Sequence, residues 1–387
     1  MLPWMVCLVT ASAWELIARN WAALTIALTC LSLAVWTCLW LGKYVRICLN
    51  LFIDTPPPLA LGPLEFDRVA GQEVRFRAFD GTSLRGMWVR RGHARGTIIF
   101  CHEFGSDMHS CARYTRPLMQ AGFDIFTFDF RGHGASSCPG RYRPLQWSSD
   151  KELGDVLGAI AHVHQELERQ GRPRRIGLFG ISRGGAAAIL AAATDDSVGA
   201  ILADGAFSTD AICIGLMKRW AAIFARVRLV YENHPESFWR LLYWLLRQQA
   251  QKRMGCRYPS VLRALGDMAP RPIMLVHGAR DSYVPVEQTR LLHQAAPSPK
   301  YMWIVPRAKH NQSVAIAPEE YAQRTVAFFE RHLAGLDVDE VYICGRDCEK
   351  GNPKSQIPNP KQIPSPKSQT SQQEPSSASS RSHTPEV

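Results

Sequence analysis

The sequence predicts an α/β fold: a mostly parallel sheet covered by helices on both faces, with an inserted helical cap. Three observations predict it. Short β-rich runs alternate with helical stretches over residues 70–335, the pattern of parallel strands joined by helical crossovers. The run 176–181 ends in Gly180-Ile181-Ser182-Arg183-Gly184 and passes directly into the alanine-rich stretch 186–193: a strand, a tight glycine turn and a helix. The rhythm breaks between Asp204 and Pro270, where aromatic and basic residues at helical spacing replace it.

Residues 21–41 (WAALTIALTCLSLAVWTCLWL) carry no charge and have the ~20 residues a bilayer span requires. Trp21, Trp36 and Trp40 stand toward the ends of the stretch, as interfacial aromatics do, and Lys43 and Arg46 follow it. A secretory signal has an early basic region, a shorter apolar core and a small-residue cleavage site. None of these is clear here, so residues 1–50 read as an uncleaved single-pass anchor. A buried core helix is the alternative. The count of basic residues on either side favours a cytosolic catalytic domain. The linker 51–69 contains Thr55-Pro56-Pro57-Pro58, a stiff spacer.

Within the domain, 74–79 and 84–89 read as strands joined by a tight turn at Asp80-Gly81. Strand 97–101 runs into His102-Glu103-Phe104-Gly105. Helix 114–121 and strand 125–129 follow, then Phe130-Arg131-Gly132-His133-Gly134 and an amphipathic helix over 152–168. After Ser182 and its helix come a strand at 200–203 and a helical cap over about 208–268. Strand 272–276 leads to His277-Gly278-Ala279-Arg280-Asp281. Helix 286–294, strand 301–305, Lys309-His310 and a closing helix over 318–333 complete the domain. Residues 336–387 turn to Pro, Ser, Gln and Lys, which cannot bury a core, and read as a disordered tail.

The chain has 387 residues, 46% hydrophobic and 20% charged, with a formal charge of +11. No nucleic-acid motif stands out, and the bases are scattered among aromatics and leucines, so a membrane surface is the expected partner rather than nucleic acid. The 11 cysteines show no paired framework and read as free thiols in a reducing compartment, with Cys344 and Cys348 able to form a disulfide or a metal half-site. No metal-ligand cluster and no phosphate-cradling loop is evident, so no metal or organic cofactor is expected.

Serine is a weak nucleophile and needs a base within hydrogen-bond reach. Histidine supplies it, and a carboxylate orients the imidazole. The chain offers Ser182, then Asp281 after one later strand, then His310 after the next. Asp204 ends an earlier strand and is the second choice of acid; His102, His133, His277 and His293 are less well placed than His310. Two N–H groups must receive the oxyanion of the tetrahedral intermediate. Arg183, the residue after the nucleophile, supplies one; Phe104 supplies the other, with Glu103 as the alternative.

These stretches, together with Cys101–Ser106, Phe128–Gly134 and His277–Asp281, resemble the alpha/beta-hydrolase superfamily over roughly residues 70–335. They look most like its serine-aminopeptidase and monoacylglycerol-lipase-like branch. The resemblance implies serine-hydrolase chemistry on a Ser182-Asp281-His310 triad. One departure is Glu103, where that family usually has glycine after the histidine. The expected activity is cleavage of an ester or thioester, with the anchor and aromatic cap suggesting a lipid-like acyl group. A peptidase using the same triad and a non-catalytic hydrolase-fold binding module are the alternatives. Acyl length and oligomeric state stay open.

Overall fold

The computed structural model describes residues 3–54, 68–92, 94–224 and 234–344, with side chains from residue 20 onward. Residues 55–67, including the expected proline spacer, and residues 345–387 of the expected tail lie outside the described residues.

A long helix, α1 (Pro3–Leu49), opens the chain and ends in one wider turn, Asn50–Asp54. Strands β1 (Gln72–Arg77) and β2 (Ser83–Val89) form the hairpin expected at Asp80-Gly81. Strand β3 (Thr97–Cys101) is buried throughout, and α2 (Cys111–Gln120) returns the chain to β4 (Asp124–Phe128). Helix α3 (Asp150–Arg169) starts at a capping box: Ser149 caps the first turn and Glu152 reaches back to the Ser149 N–H. Strand β5 (Ile176–Ile181), α4 (Arg183–Ala192) and β6 (Val198–Asp204) follow.

Helices α5 (Thr209–Phe224) and α6 (Glu236–Met254) stand in the cap region; residues 225–233 between them lie outside the described residues. Helix α7 (Val261–Asp267) leads to β7 (Ile273–Gly278), α8 (Glu287–Ala295) and β8 (Lys300–Val305). Helices α9 (Ser313–Ile316), α10 (Pro318–Phe329) and α11 (Val341–Cys344) close the domain.

The eight strands pair in the order β1-β2-β4-β3-β5-β6-β7-β8. The β1–β2 and β2–β4 pairs are antiparallel; every pair from β4 to β8 is parallel. Alternate residues of one strand feed opposite faces, as strand geometry requires. Ile99, Cys101, Leu178 and Ile201 pack with α3, α4, α7 and α8, while Ile98, Phe100, Phe179 and Leu202 pack with α2, α10 and α11. Both faces are covered, so the central strands read as continuous apolar runs.

Three expected boundaries move. Val261 and Leu265 are fully buried in the sheet core, so α7 is a flanking helix and not part of the cap that the sequence suggests up to residue 268. The ordered domain continues beyond residue 335, because Ile343 is buried and its carbonyl accepts from Arg324 Nη1 at 2.8 Å. Residues 51–54, expected to open the linker, are docked against the cap through Phe52 and Ile53. Cys344 is disulfide-bonded, so the reading of uniformly free thiols does not hold there.

The foot of α1 builds a third cluster together with the cap. Val45, Cys48, Phe52 and Ile53 are buried with Trp147, Phe207, Trp239, Leu242 and Tyr258. Phe52 stacks on Trp147 with 5.0 Å between ring centres and meets Tyr258 edge-on. The Trp147 indole N–H donates to the Phe52 carbonyl at 3.0 Å. Asp54 accepts from Arg143 and Arg253. A buried ring of this kind is worth about 3–5 kcal/mol against alanine. Phe52→Ala should therefore lower the unfolding free energy of the detergent-solubilised protein by an amount in that range. A change below about 0.5 kcal/mol would mean that the foot of α1 is not part of the folded domain.

Candidate active site

Strand β5 ends at Ile181 and α4 begins at Arg183, so the turn between them is the single residue Ser182. Ser182 has φ 53° and ψ −117°. A non-glycine residue held at positive φ costs of the order of 1–3 kcal/mol and persists only where its surroundings dictate it. Here they do. A Cβ on Gly184 would stand 2.2 Å from the Cys101 carbonyl oxygen, and one on Gly180 would stand 2.5 Å from the Gly184 carbonyl oxygen. The glycines of the Gly-x-Ser-x-Gly pattern let α4 press onto β3, and that approach leaves the serine on the outside of the bend. The Ser182 N–H donates to the Asp204 carbonyl at 2.7 Å, which ties the bend to β6.

Three sequence-expected side chains meet there. Ser182 Oγ is 2.9 Å from His310 Nε2, and His310 Nδ1 is 2.6 Å from Asp281 Oδ2. A carboxylate only accepts, so Nδ1 carries the proton and Nε2 is the free base facing the serine hydroxyl. Asp281 is almost fully buried; its other oxygen accepts the Tyr283 and Val284 N–H groups at 2.9 and 2.8 Å. His277 braces the same loop. Its Nδ1 is bonded to Thr289 Oγ1 at 2.8 Å and its Nε2 to the Val284 carbonyl, also at 2.8 Å. Burial holds the His277 pKa below its ordinary value.

The loop after β3 is pinned by His102. The Phe130 N–H donates to His102 Nε2 at 3.1 Å, so Nδ1 bears the proton and donates to the Glu103 carbonyl at 2.6 Å. A peptide's C=O and N–H point in opposite directions, so fixing the Glu103 carbonyl also fixes the direction of the Phe104 N–H. Among the described residues, the Phe104 N–H donates to no backbone carbonyl. The Glu103 side chain is buried and accepts from Ser110 Oγ at 3.3 Å; burial raises its carboxyl pKa. The departure from glycine is thus accommodated by turning the side chain toward the start of α2.

The side chain of Arg183 was not singled out by sequence reasoning, which used only its backbone. It is fully buried. Its guanidinium donates to the Leu145 carbonyl at 2.9 Å and lies 3.5 Å from Glu152. It also stands over the rings of Phe104 and Phe130, 5.1 and 5.3 Å from their centres. Glu152 is further held by Tyr142 OH at 2.6 Å and by the Ser149 N–H at 2.9 Å. His133 faces this cation, and burial with the nearby Arg183 charge pushes its pKa down to about 3. Nothing in the pattern marks this hub, because its partners lie 31 to 79 positions away in the chain.

Sequence and structure comparisons agree on the fold. The family model described as serine aminopeptidase, S33, matches residues 92–268. The uncharacterized protein YfhR of Escherichia coli O157:H7 is 25% identical over 272 residues, covering 68% of this chain and 81% of its own length. The thiohydrolase aneE of Aspergillus aculeatus is 24% identical over 304 residues, 68% of this chain and 94% of its own. Among solved structures, an esterase of Pyrococcus furiosus is 24% identical and covers 72% of this chain and 97% of that one, with a TM-score of 0.51. The chain has the alpha/beta-hydrolase fold.

In this fold, Asp204 is not the acid that meets the imidazole. It sits behind it, accepting from Ser313 Oγ at 3.3 Å and Tyr321 OH at 3.1 Å, and so holds the loop that carries His310. Burial lifts its carboxyl to about 6 from an ordinary value of 3.8. A carboxyl whose folded pKa is raised keeps its proton longer in the folded state, so stability falls as pH rises from about 4 to about 6. The cost above that window is roughly 3 kcal/mol at 1.36 kcal/mol per pKa unit. Asp204→Asn removes it. The melting temperature of that variant relative to wild type should be several degrees more favourable at pH 7.5 than at pH 4.5. A difference that does not change with pH would contradict the assignment.

Proposed function

We propose that the protein is a membrane-anchored serine hydrolase that cleaves esters or thioesters of lipid-like acyl groups through an acyl-enzyme. The observation that carries this reading is the hydrogen-bonded chain Ser182–His310–Asp281 at a strained strand-to-helix turn.

In this reading His310 Nε2 takes the hydroxyl proton as Ser182 Oγ attacks the acyl carbon. The carbonyl oxygen becomes an oxyanion received by the Phe104 and Arg183 N–H groups. Phe104 is preferred over Glu103, because the His102 bond to the Glu103 carbonyl fixes the direction of the Phe104 N–H. Arg183 stands at the first position of α4, where a helical N–H has no intrahelical acceptor, and the dipole of α4 adds positive potential there. Collapse of the intermediate breaks the bond to the alcohol or thiol, which leaves with the proton from His310. Water then attacks the acyl-serine, His310 takes its proton, and the carboxylic acid is released as the proton returns to Ser182 Oγ. Asp281 keeps the imidazole in the correct tautomer and favours its cationic form. The reaction needs no cofactor.

The lipid-like substrate class is supported by the apolar helix, whose segment Asn20–Asp54 has a mean hydropathy of 2.0 in its most apolar window and is unburied there. It is also supported by the aromatic cluster of the cap beside the Asp281 loop. The thiohydrolase name of one relative supports including thioesters.

A fluorophosphonate probe tests the assignment. The detergent-solubilised wild type should be labelled, Ser182→Ala should not be labelled, and His310→Ala should react at least roughly 10³-fold more slowly. Equal labelling of wild type and Ser182→Ala would place the reactive nucleophile elsewhere.

A further inference from the structure

The apolar helix reaches the domain without slack. Trp36 and Leu39 are 64% and 70% exposed, Leu41 and Tyr44 are half-buried, and Val45 is buried in the cap cluster. Contact with the cap therefore begins at the residue where the uncharged stretch 21–41 ends. At about 1.5 Å per residue that stretch is ~30 Å long, the full hydrocarbon thickness of a bilayer. A domain packed on residues 41–53 is consequently held at headgroup level.

The direction of packing shows which part of the cap is nearest the span. Asp54, at the foot of the helix, bonds Arg253 at the C-terminal end of α6, and α1 itself packs against α6. Moving up α1 toward the span therefore leads toward the N-terminal half of α6. That half buries Trp239, Leu242, Tyr243 and Leu246 on one face and exposes Leu241 and Trp244 on the other. An ion pair between Lys218 and Glu236 ties the end of α5 to the start of α6, and α5 carries the exposed Ile223 there. Arg219 and Arg240 are exposed in the same two helices, as are Lys43 and Arg46 on α1. Glu236 is the one acid of α6, and it is already paired.

We propose that this α5–α6 tip of the cap seats on the bilayer that holds the anchor. Ile223, Leu241 and Trp244 enter the acyl boundary, and Lys43, Arg46, Arg219 and Arg240 meet anionic headgroups. An aromatic and aliphatic face flanked by bases is the composition of interfacial helices. The inference rests on reading residues 21–41 as a membrane span. It adds that the span orients the catalytic domain instead of merely tethering it.

The test uses the full chain reconstituted in phosphatidylcholine vesicles with or without phosphatidylglycerol, after alkaline carbonate washing. Trp4, Trp14, Trp21, Trp36 and Trp40 are replaced by Phe to remove the fluorescence of α1. Lipids brominated on the upper acyl chain should then quench a fraction of the remaining emission, and Trp244→Phe should abolish that fraction. In the otherwise wild-type chain, Leu241→Glu should raise KM for a vesicle-borne ester at least tenfold on anionic vesicles and leave turnover of a water-soluble short ester unchanged. A protein that resists carbonate but shows neither the Trp244-dependent quenching nor the KM split overturns the seating. Release by carbonate overturns the anchor reading and the seating with it. The quenching readout decides the question even if no ester is turned over, so failure of the hydrolase assignment is separately visible.

Discussion

Everything at the site depends on one close approach, the first turn of α4 against the end of β3. Gly184 lies so near the Cys101 carbonyl that no side chain fits, and Gly180 faces Gly184 in the same way. Because the two elements meet backbone to backbone, the residue between β5 and α4 is forced to positive φ. Ser182 is therefore presented at the carboxyl edge of the sheet, where ligands of open parallel sheets bind. The same approach brings the first N–H of α4 close to the loop that follows β3. One packing constraint thus sets the nucleophile and both expected oxyanion donors.

Around that bend the structure spends its buried polar groups on holding loops still. His102 fixes the Glu103 carbonyl, His277 fixes the Asp281 loop, and Asp204 fixes the loop that carries His310. Burial keeps the pKa of His102 and His277 below the ordinary imidazole range, so neither competes with His310 for the proton in transit. The Arg183 guanidinium does a similar job with a charge. It is held by a carbonyl, a shared carboxylate and two aromatic faces, while its Nε has no hydrogen-bond partner among the described residues. Through Leu145 and Trp147 the same loop also receives the foot of α1, so that helix and the nucleophile turn share a continuous packed path.

The mostly parallel sheet flanked by helices, and Ser182, Asp281 and His310 as the candidates for one site, were legible in the sequence, because each depends on local patterns. Strand and helix periodicities, glycine turns and the order of motifs along the chain are all short-range signals. What was not legible depends on contacts between distant residues. The side-chain role of Arg183 needs Leu145 and Glu152; the brace at Asp204 needs Ser313 and Tyr321; the docking of Phe52 needs Trp147 and Tyr258. The cap boundary failed for a related reason. Apolar residues at helical spacing in 261–267 look alike whether they face a cap or a sheet, and only the buried positions of Val261 and Leu265 against the core distinguish the two.

The central claim is that Ser182 carries the acyl group during turnover. Rapid-quench mass spectrometry of the purified protein with an activated medium-chain ester addresses it directly. The account predicts a burst of alcohol release, together with an acyl adduct on the peptide containing Ser182 that decays at the steady-state rate. Turnover without any adduct on that serine, or an adduct on another residue with the same kinetics, would contradict it.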